Sequence, residues 1–205
     1  SGGKNRLVTR NPFTNNAESN YWLGYLAADG NVARKYDRIS MHLKDIDILI
    51  KFRDFICPKL TIYYRKNAAG NIMGTIHFQN KEIWDYLNSI GIVPAKSRIL
   101  KYKGEFNWDF IRGVFDGDGS ISNQEPKITT GSENFKNQLE EFFLKEGLEY
   151  KTHIKGNQIF DVYIRGNSRF TFFDKMYYDV DCVKLDRKYE KYRAALKKFK
   201  VKNIG

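Results

Sequence analysis

Along most of this chain apolar and polar residues alternate in short bursts, but in two stretches the polar positions almost vanish. These are Tyr21-Trp-Leu-Gly-Tyr-Leu-Ala-Ala-Asp-Gly30 and Phe110-Ile-Arg-Gly-Val-Phe-Asp-Gly-Asp-Gly119. Each predicts a helix buried over most of its circumference, because an exposed helix keeps a polar stripe. Each also carries small residues four positions apart, Gly24 with Ala28 and Gly113 with Gly117, and closes on Asp-Gly. The first helix is expected over residues 17–28, with Asn16 or Thr14 as N-cap and Gly30 as a left-handed C-cap.

Between the two stretches the pattern changes period. Asp37–Lys44 alternates strictly, with Ile39, Met41 and Leu43 against Arg38, Ser40 and His42, and predicts a half-buried strand. An amphipathic helix over 45–56 follows, with Pro58 just beyond it. Leu60–Arg65 and Ile72–Gln79 then read as two strands of a hairpin. Leu60, Ile62, Tyr64, Ile76 and Phe78 occupy one face; Thr61, Tyr63, Arg65, Thr75, His77 and Gln79 occupy the other. A helix over 81–90 stops at Gly91, and the basic segment Pro94–Lys103 leads to the second apolar stretch.

After that stretch the order repeats: a strand over 126–130, a helix over 132–145, strands over 150–155 and 159–165, and a helix over 168–178. Its polar strand positions include Lys127, Thr129, Lys151, His153, Lys155, Asp161, Tyr163 and Arg165. With a short partner strand after each apolar helix, the fold class is α+β. Two pseudo-symmetric αββαββα-type half-domains, each with an antiparallel sheet, are joined through a central two-helix interface. Asp29 and Asp118 lie 89 residues apart, too far for a solenoid repeat and suited to a half-domain in tandem. The expected divisions are an arm over 1–16, half-domains over 17–95 and 108–205, and a linker over 96–107. Ser1–Gly3 reads as a cloning remnant.

Gly24 and Ala28 stack on one helix face, as do Gly113 and Gly117. Small residues at that spacing allow helix backbones to approach closely, so the partner of each apolar helix is expected to be the other. Packed in the same direction, the two helices bring Asp29 and Asp118 side by side. Each carboxylate then meets the negative end of a helix dipole and a second acid, and a cation must offset both. Mg²⁺ suits one or two carboxylates with carbonyl, water and phosphate oxygens, which points to metal-assisted phosphodiester hydrolysis. A single Asp-Gly after a helix is commonly just a turn. Its repetition together with the small-residue spacing is what favours chemistry. Asp116 has Ala27 as its counterpart, so symmetric chemistry does not depend on it.

Composition narrows the partner. The net charge of +11 favours a polyanion, and much of it lies in Lys184–Lys202, which holds nine basic and two acidic residues. Within it Tyr189, Tyr192, Leu196 and Phe199 recur at helical spacing. The polar strand faces carry side chains of the kind that read base edges in a major groove: Arg38, Ser40, His42, Tyr63, Arg65, Thr75, His77 and Gln79, then Lys127, Thr129, Lys151, His153, Lys155, Tyr163 and Arg165. An ordinary solvated sheet face is the plainer reading of any one strand. Cys57 and Cys182 are far apart and suggest neither a zinc site nor a disulfide framework. No apolar run is long enough for a membrane span, and a soluble intracellular protein without a membrane partner is expected.

Trp22–Gly30 and Ile111–Gly119 resemble the signature helices of the LAGLIDADG homing endonucleases; they span all nine positions of the motif, depart from it most visibly at Trp22, Tyr25, Ala27 and Arg112, and are followed by a similar order of elements. Two motifs in one chain resemble the monomeric members. The resemblance implies that Asp29 and Asp118 bind the catalytic metals, Mg²⁺ or Mn²⁺, with the carbonyls of Ala28 and Gly117 as further ligands. Ca²⁺ is expected to support binding without cleavage. The resemblance also implies a saddle of two sheets over double-stranded DNA, with cleavage across the minor groove. A basic residue near each metal is implied too: Lys96 and Lys188, with Arg98 and Lys184 next in line. Arg112 departs from the apolar pattern and raises a packing question. The alternative is an RNA-splicing maturase acting on intron RNA, or a non-cleaving DNA-binding protein, on the same scaffold.

Overall fold

A computed structural model describes residues 7–122 and 125–202, with only the backbone of 198–202. The predicted contribution of Phe199, the start of the N-terminal arm and the cloning remnant lie outside the described residues. Two helices cross the centre, α1 (Ala17–Ala28) and α4 (Trp108–Asp118). Both begin the same way: the Asn16 carboxamide oxygen accepts the Ser19 N–H, and that of Asn107 accepts the Phe110 N–H. In α1 every residue from Tyr21 to Ala27 is buried, as expected of a helix without a polar stripe.

The two helices run in the same direction and touch backbone to backbone. A Cβ on Gly24 would collide with the Phe110 carbonyl, one on Gly113 with the Tyr21 carbonyl, and one on Gly117 with the Ala28 Cβ. The pairing runs from Tyr21 against Gly113 to Ala28 against Gly117, so the C-terminal ends of both helices come together. The chain ends these helices differently from expectation. Gly30 is not left-handed; Asp29 caps α1 with right-handed angles and Gly119 is extended. Glycine is required at position 30 because the Leu26 carbonyl and side chain leave no room for a Cβ.

The helices are flanked by two four-stranded sheets of the same topology. The first contains β1 (Asn31–Val32), β2 (Arg38–Leu43), β3 (Tyr63–Lys66) and β4 (Ile72–Gln79), in the order β1-β2-β4-β3. The second contains β5 (Gly119–Ser122), β6 (Glu125–Thr130), β7 (Tyr150–Lys155) and β8 (Ile159–Ile164), in the order β5-β6-β8-β7. All neighbours are antiparallel. The helices α2 (Ile46–Ile56), α3 (Lys81–Ser89), α5 (Glu133–Lys145) and α6 (Ser168–Met176) complete the layers, and α7 (Asp186–Lys202) ends the described chain. The fold is therefore α+β, as the alternation predicts. No described helix is long and apolar enough to cross a membrane, and Cys57 and Cys182 are free thiols.

Two details depart from the sequence reading. The strand expected from Leu60 begins at Tyr63, and Tyr64, assigned to the inner face, is 58% exposed. There Gly74 stands opposite Tyr64 on β4. The segment between the halves, in contrast, is packed: Leu100 and Tyr102 are buried, and the Gln138 carboxamide both accepts from the Tyr102 N–H (3.0 Å) and donates to its carbonyl (2.6 Å).

Arg112 resolves the packing question. Its side chain is 1% exposed, and its guanidinium donates to the carbonyls of Val183 (2.9 Å) and Met176 (2.8 Å) and to the Asp109 carboxylate (2.8 Å). A buried charge with its donors engaged is tolerated. It ties α4 to the segment after α6, which a leucine could not do.

The close approach has a direct test. Gly24→Ala should destabilise the protein by about 3 kcal/mol, because the obstructing atoms are backbone and cannot rotate away. Gly156→Ala, where a Cβ meets nothing within 4 Å, should stay within about 1 kcal/mol of the parent. Urea unfolding of both variants makes the comparison, and equal midpoints would refute close packing as the constraint.

Candidate active site

The chemistry-bearing residues gather where α1 and α4 end. Asp29 and Asp118 are both exposed at the mouth of a cleft, with protein around their other sides. Burial, then the charge of Asp29, pushes the Asp118 carboxyl up to about 6. Asp29 is likewise raised, chiefly by burial. The acids are thus near enough for the charge of Asp29 to oppose the ionisation of Asp118, in keeping with the parallel packing. A cleft of about 320 Å³ next to them is lined by Ala28, Lys96, Asp118 and Thr129, among others.

Two lysines answer the negative charge. Lys96 lies in a single 3₁₀ turn (Lys96–Arg98), preceded by Ala95 in the left-handed region at φ 57°, and its ammonium donates to the Gly30 carbonyl. Lys188, in the first turns of α7, is 5% exposed. Its ammonium donates to the carbonyls of Phe115 (2.7 Å), Asp116 (2.7 Å) and Gly117 (3.4 Å), at the negative end of α4. Burial lowers both ammonium pKa values, that of Lys188 to about 8. Both ammoniums act on both acids and oppose the upward shift that burial imposes. The next lysine and arginine in line go elsewhere. Arg98 holds the β7–β8 turn through the carbonyls of Asn157 (2.5 Å) and Gln158 (3.0 Å), and Lys184 donates to the Val180 and Cys182 carbonyls.

Asp116 has a different task from its neighbour. It is fully buried, and one carboxylate oxygen accepts the Tyr21 hydroxyl (2.9 Å) and the Leu185 N–H (2.7 Å). Burial raises its carboxyl to about 6. It links α1, α4 and the start of α7, and so sets where Lys188 enters. Arg187 carries the same segment onto the first half through a two-pronged pair with Asp45, at 2.7 and 2.8 Å.

Does this set suit a divalent metal? Among the described residues no group of three His, Cys, Asp or Glu gathers, so a closed cage of side chains is not what the cleft offers. What it offers is two carboxylates at adjoining helix ends, beside helix-end carbonyls that include those of Ala28 and Gly117. That donor set fits Mg²⁺, which keeps several waters and takes phosphate oxygens.

The polar faces of the strands assemble as expected. On the first sheet Arg38 stands opposite Gln79, Ser40 opposite His77, and both His42 and Tyr63 opposite Thr75, all on one face, with Arg65 farther along β3. On the second, Lys127 and Lys151 flank Tyr163, Thr129 and His153 flank Asp161, Lys155 faces Ile159, and Arg165 follows β8. Tyr63 stacks on His77, and His153 meets Tyr163 edge-on, each at 5.3 Å. By register Tyr63 corresponds to His153 and His77 to Tyr163, so both halves keep a tyrosine–histidine contact with the partners exchanged. Asp161, grouped with the outward polar positions in sequence, is instead wholly buried. Burial opposes its charge, but hydrogen bonds from Lys127, Lys155 and Thr129 prevail and hold its carboxyl at about 2.

Comparison with known proteins accords with this geometry. Residues 105–177 match the model of the LAGLIDADG-like domain. The homing endonuclease I-WcaI bound to its DNA recognition sequence is 18% identical, with a TM-score of 0.59 over 84% of each chain. This is a LAGLIDADG fold. It also aligns with variants of the homing endonuclease I-DmoI (14% identity, TM-score 0.52, 80% of this chain and 97% of that one). Full-length DUF199/WhiA from Thermatoga maritima shares the fold at 18% identity and TM-score 0.55, over 95% of this chain and 64% of that one. I-DmoI structures include complexes with DNA and Mn and with DNA and Ca. No curated protein matches the sequence.

The raised acid gives a prediction. Asp118 is protonated in the folded state at pH values where the unfolded chain, with a carboxyl pKa of about 4, is already ionised. The resulting instability grows between pH ~4 and ~6 and is complete above that. In metal-free buffer, Asp118→Asn should therefore exceed the parent at pH 8 by about 1 kcal/mol after solvent screening, or roughly 2–4 °C in melting temperature. The gap should close by about pH 4. Parallel melting curves across pH measure it.

Proposed function

We propose that this chain is a divalent-metal-dependent endonuclease that cuts both strands of duplex DNA at a specific site. The observation that carries the reading is the pairing of Asp29 and Asp118 at the joined ends of α1 and α4, within a basic protein with two polar-faced sheets. In this reading residues 17–95 and 108–205 are half-domains of one monomer, and each half reads part of the target.

Asp29 and Asp118, with the carbonyls of Ala28 and Gly117, would hold Mg²⁺ or Mn²⁺. When bound, such ions activate water and stabilise the leaving oxygen of a phosphodiester. The protein's own groups do the rest. Lys96, half-buried, and Lys188, buried, are both aimed at the helix ends, where they offset the acids and favour a phosphate. The sheets carry Arg38, Gln79, Lys151, Arg165 and their neighbours to base edges, where donor and acceptor patterns distinguish sequence. The fold alone does not decide for cutting, since one fold hosts several functions. The acids and their lysines are what favour hydrolysis.

The test is cleavage of randomised duplex DNA with Mg²⁺ or Mn²⁺, followed by sequencing of the ends, with Ca²⁺ as the binding-only control. A single recovered site is expected. Asp29→Asn and Asp118→Asn should each lower double-strand cutting by about 100-fold or more while retaining binding in Ca²⁺, because the lost oxygen holds metal and reads no base. Tight binding of duplex or intron RNA with no cut under any ion would overturn the nuclease reading.

A further inference from the structure

The two sheets differ at one position that the duplication leaves without a counterpart. Register equates Asp161 on β8 with Thr75 on β4, since Thr129 pairs with Asp161 as His42 pairs with Thr75. In the first sheet that place holds a hydroxyl, with His42 Nδ1 and Thr75 Oγ1 2.5 Å apart. In the second it holds a carboxylate with 0% exposure on the face turned away from the helices.

Every oxygen of that carboxylate is taken. Oδ2 accepts from Lys127 Nζ (2.6 Å), Lys155 Nζ (2.5 Å) and more distantly the Tyr163 hydroxyl (3.4 Å); Oδ1 accepts from Thr129 Oγ1 (2.6 Å). Asp161 thus presents no acceptor to a ligand. Its two lysines do present donors: Lys155 is 55% exposed and Lys127 16%, and each ammonium has three protons, of which the carboxylate uses one. An untethered lysine is a mobile point charge that serves a phosphate as readily as a base. Two ammoniums sharing one carboxylate, with Lys127 also over the Tyr163 ring at 5.4 Å, are a fixed pair of donors.

The major-groove edge that offers two adjacent acceptors and no donor is that of guanine, through N7 and O6. We propose that Asp161 is a positioning residue that fixes Lys127 and Lys155 as a donor pair for a guanine edge in the half-site beneath the second sheet. The proposal rests on the duplex-DNA reading above and adds to it which base the second half selects, and by what arrangement.

The test uses the full chain, Asp161→Asn and Lys155→Met, each bound in Ca²⁺ to randomised duplex DNA; the bound fraction is sequenced and affinity is followed against salt. The parent should enrich guanine about tenfold at one or two positions of one half-site. Asp161→Asn should flatten those positions to below about threefold while the rest of the pattern persists, with overall affinity undiminished because a negative charge has gone. Lys155→Met, at an exposed residue whose loss leaves Asp161 paired with Lys127 and Thr129, should flatten the same positions. An unchanged pattern in both variants, with a salt slope smaller by about one in Lys155→Met, would assign the lysines to phosphate and overturn the proposal. Equal flattening at all positions would show a purely architectural Asp161 and overturn it too. Failure of the parent to enrich any sequence would instead bring down the DNA reading, and this proposal with it.

Discussion

The structure depends on the contact of two helix backbones. Gly24 against the Phe110 carbonyl and Gly113 against the Tyr21 carbonyl leave no space for any side chain. That contact fixes the axial register of α1 on α4, and register decides whether Asp29 and Asp118 meet or miss. The same seam sets how the sheets stand, since each follows its helix directly, β1 after Gly30 and β5 from Gly119. Packing and chemistry therefore share a single geometric constraint.

Bringing two acids to two helix C-termini is unfavourable, and the surrounding chain is arranged to offset it. Lys188 caps the last carbonyls of α4, and Lys96 reaches the Gly30 carbonyl. Asp116 and Arg112 are buried charges on the same helix, and they anchor the segment that delivers Lys188. Taking away one member of such a set leaves its partner unpaired in a dry environment, where the penalty is several-fold larger than at the surface.

Much of this was legible in the sequence because it depends on short-range pattern. The apolar helices, the Asn16 cap, the small-residue spacing and the alternating strands all follow from local periods, and the structure has each of them. What could not be read depends on what stands across from a residue. Asp161 lies in a strand whose buried run, Phe160 to Val162, gives alternation no sign of a carboxylate beneath two lysines. A cluster of Lys127, Thr129 and Lys155 at outward positions around one acid was the available clue. Gly30 shows a similar limit: the sequence points to glycine at a helix end, but the reason is crowding by Leu26 and not left-handed backbone. Arg112 looked like an intruder because its three acceptors come from positions as distant as Val183.

The way Lys188 is held has a consequence for how such a protein can be divided. Its ammonium serves the carbonyls at the end of α4, yet the segment that delivers it is tied to the N-terminal part of the chain, Arg187 to Asp45 and Asp186 to Lys51. A C-terminal part made alone would keep Lys188 but lose both of those ties. It would also lose the helix that packs on Gly113, which only a partner in the same parallel register could replace. A continuous chain thus does more than join two similar parts: it keeps each central helix supplied with its packing partner at every concentration.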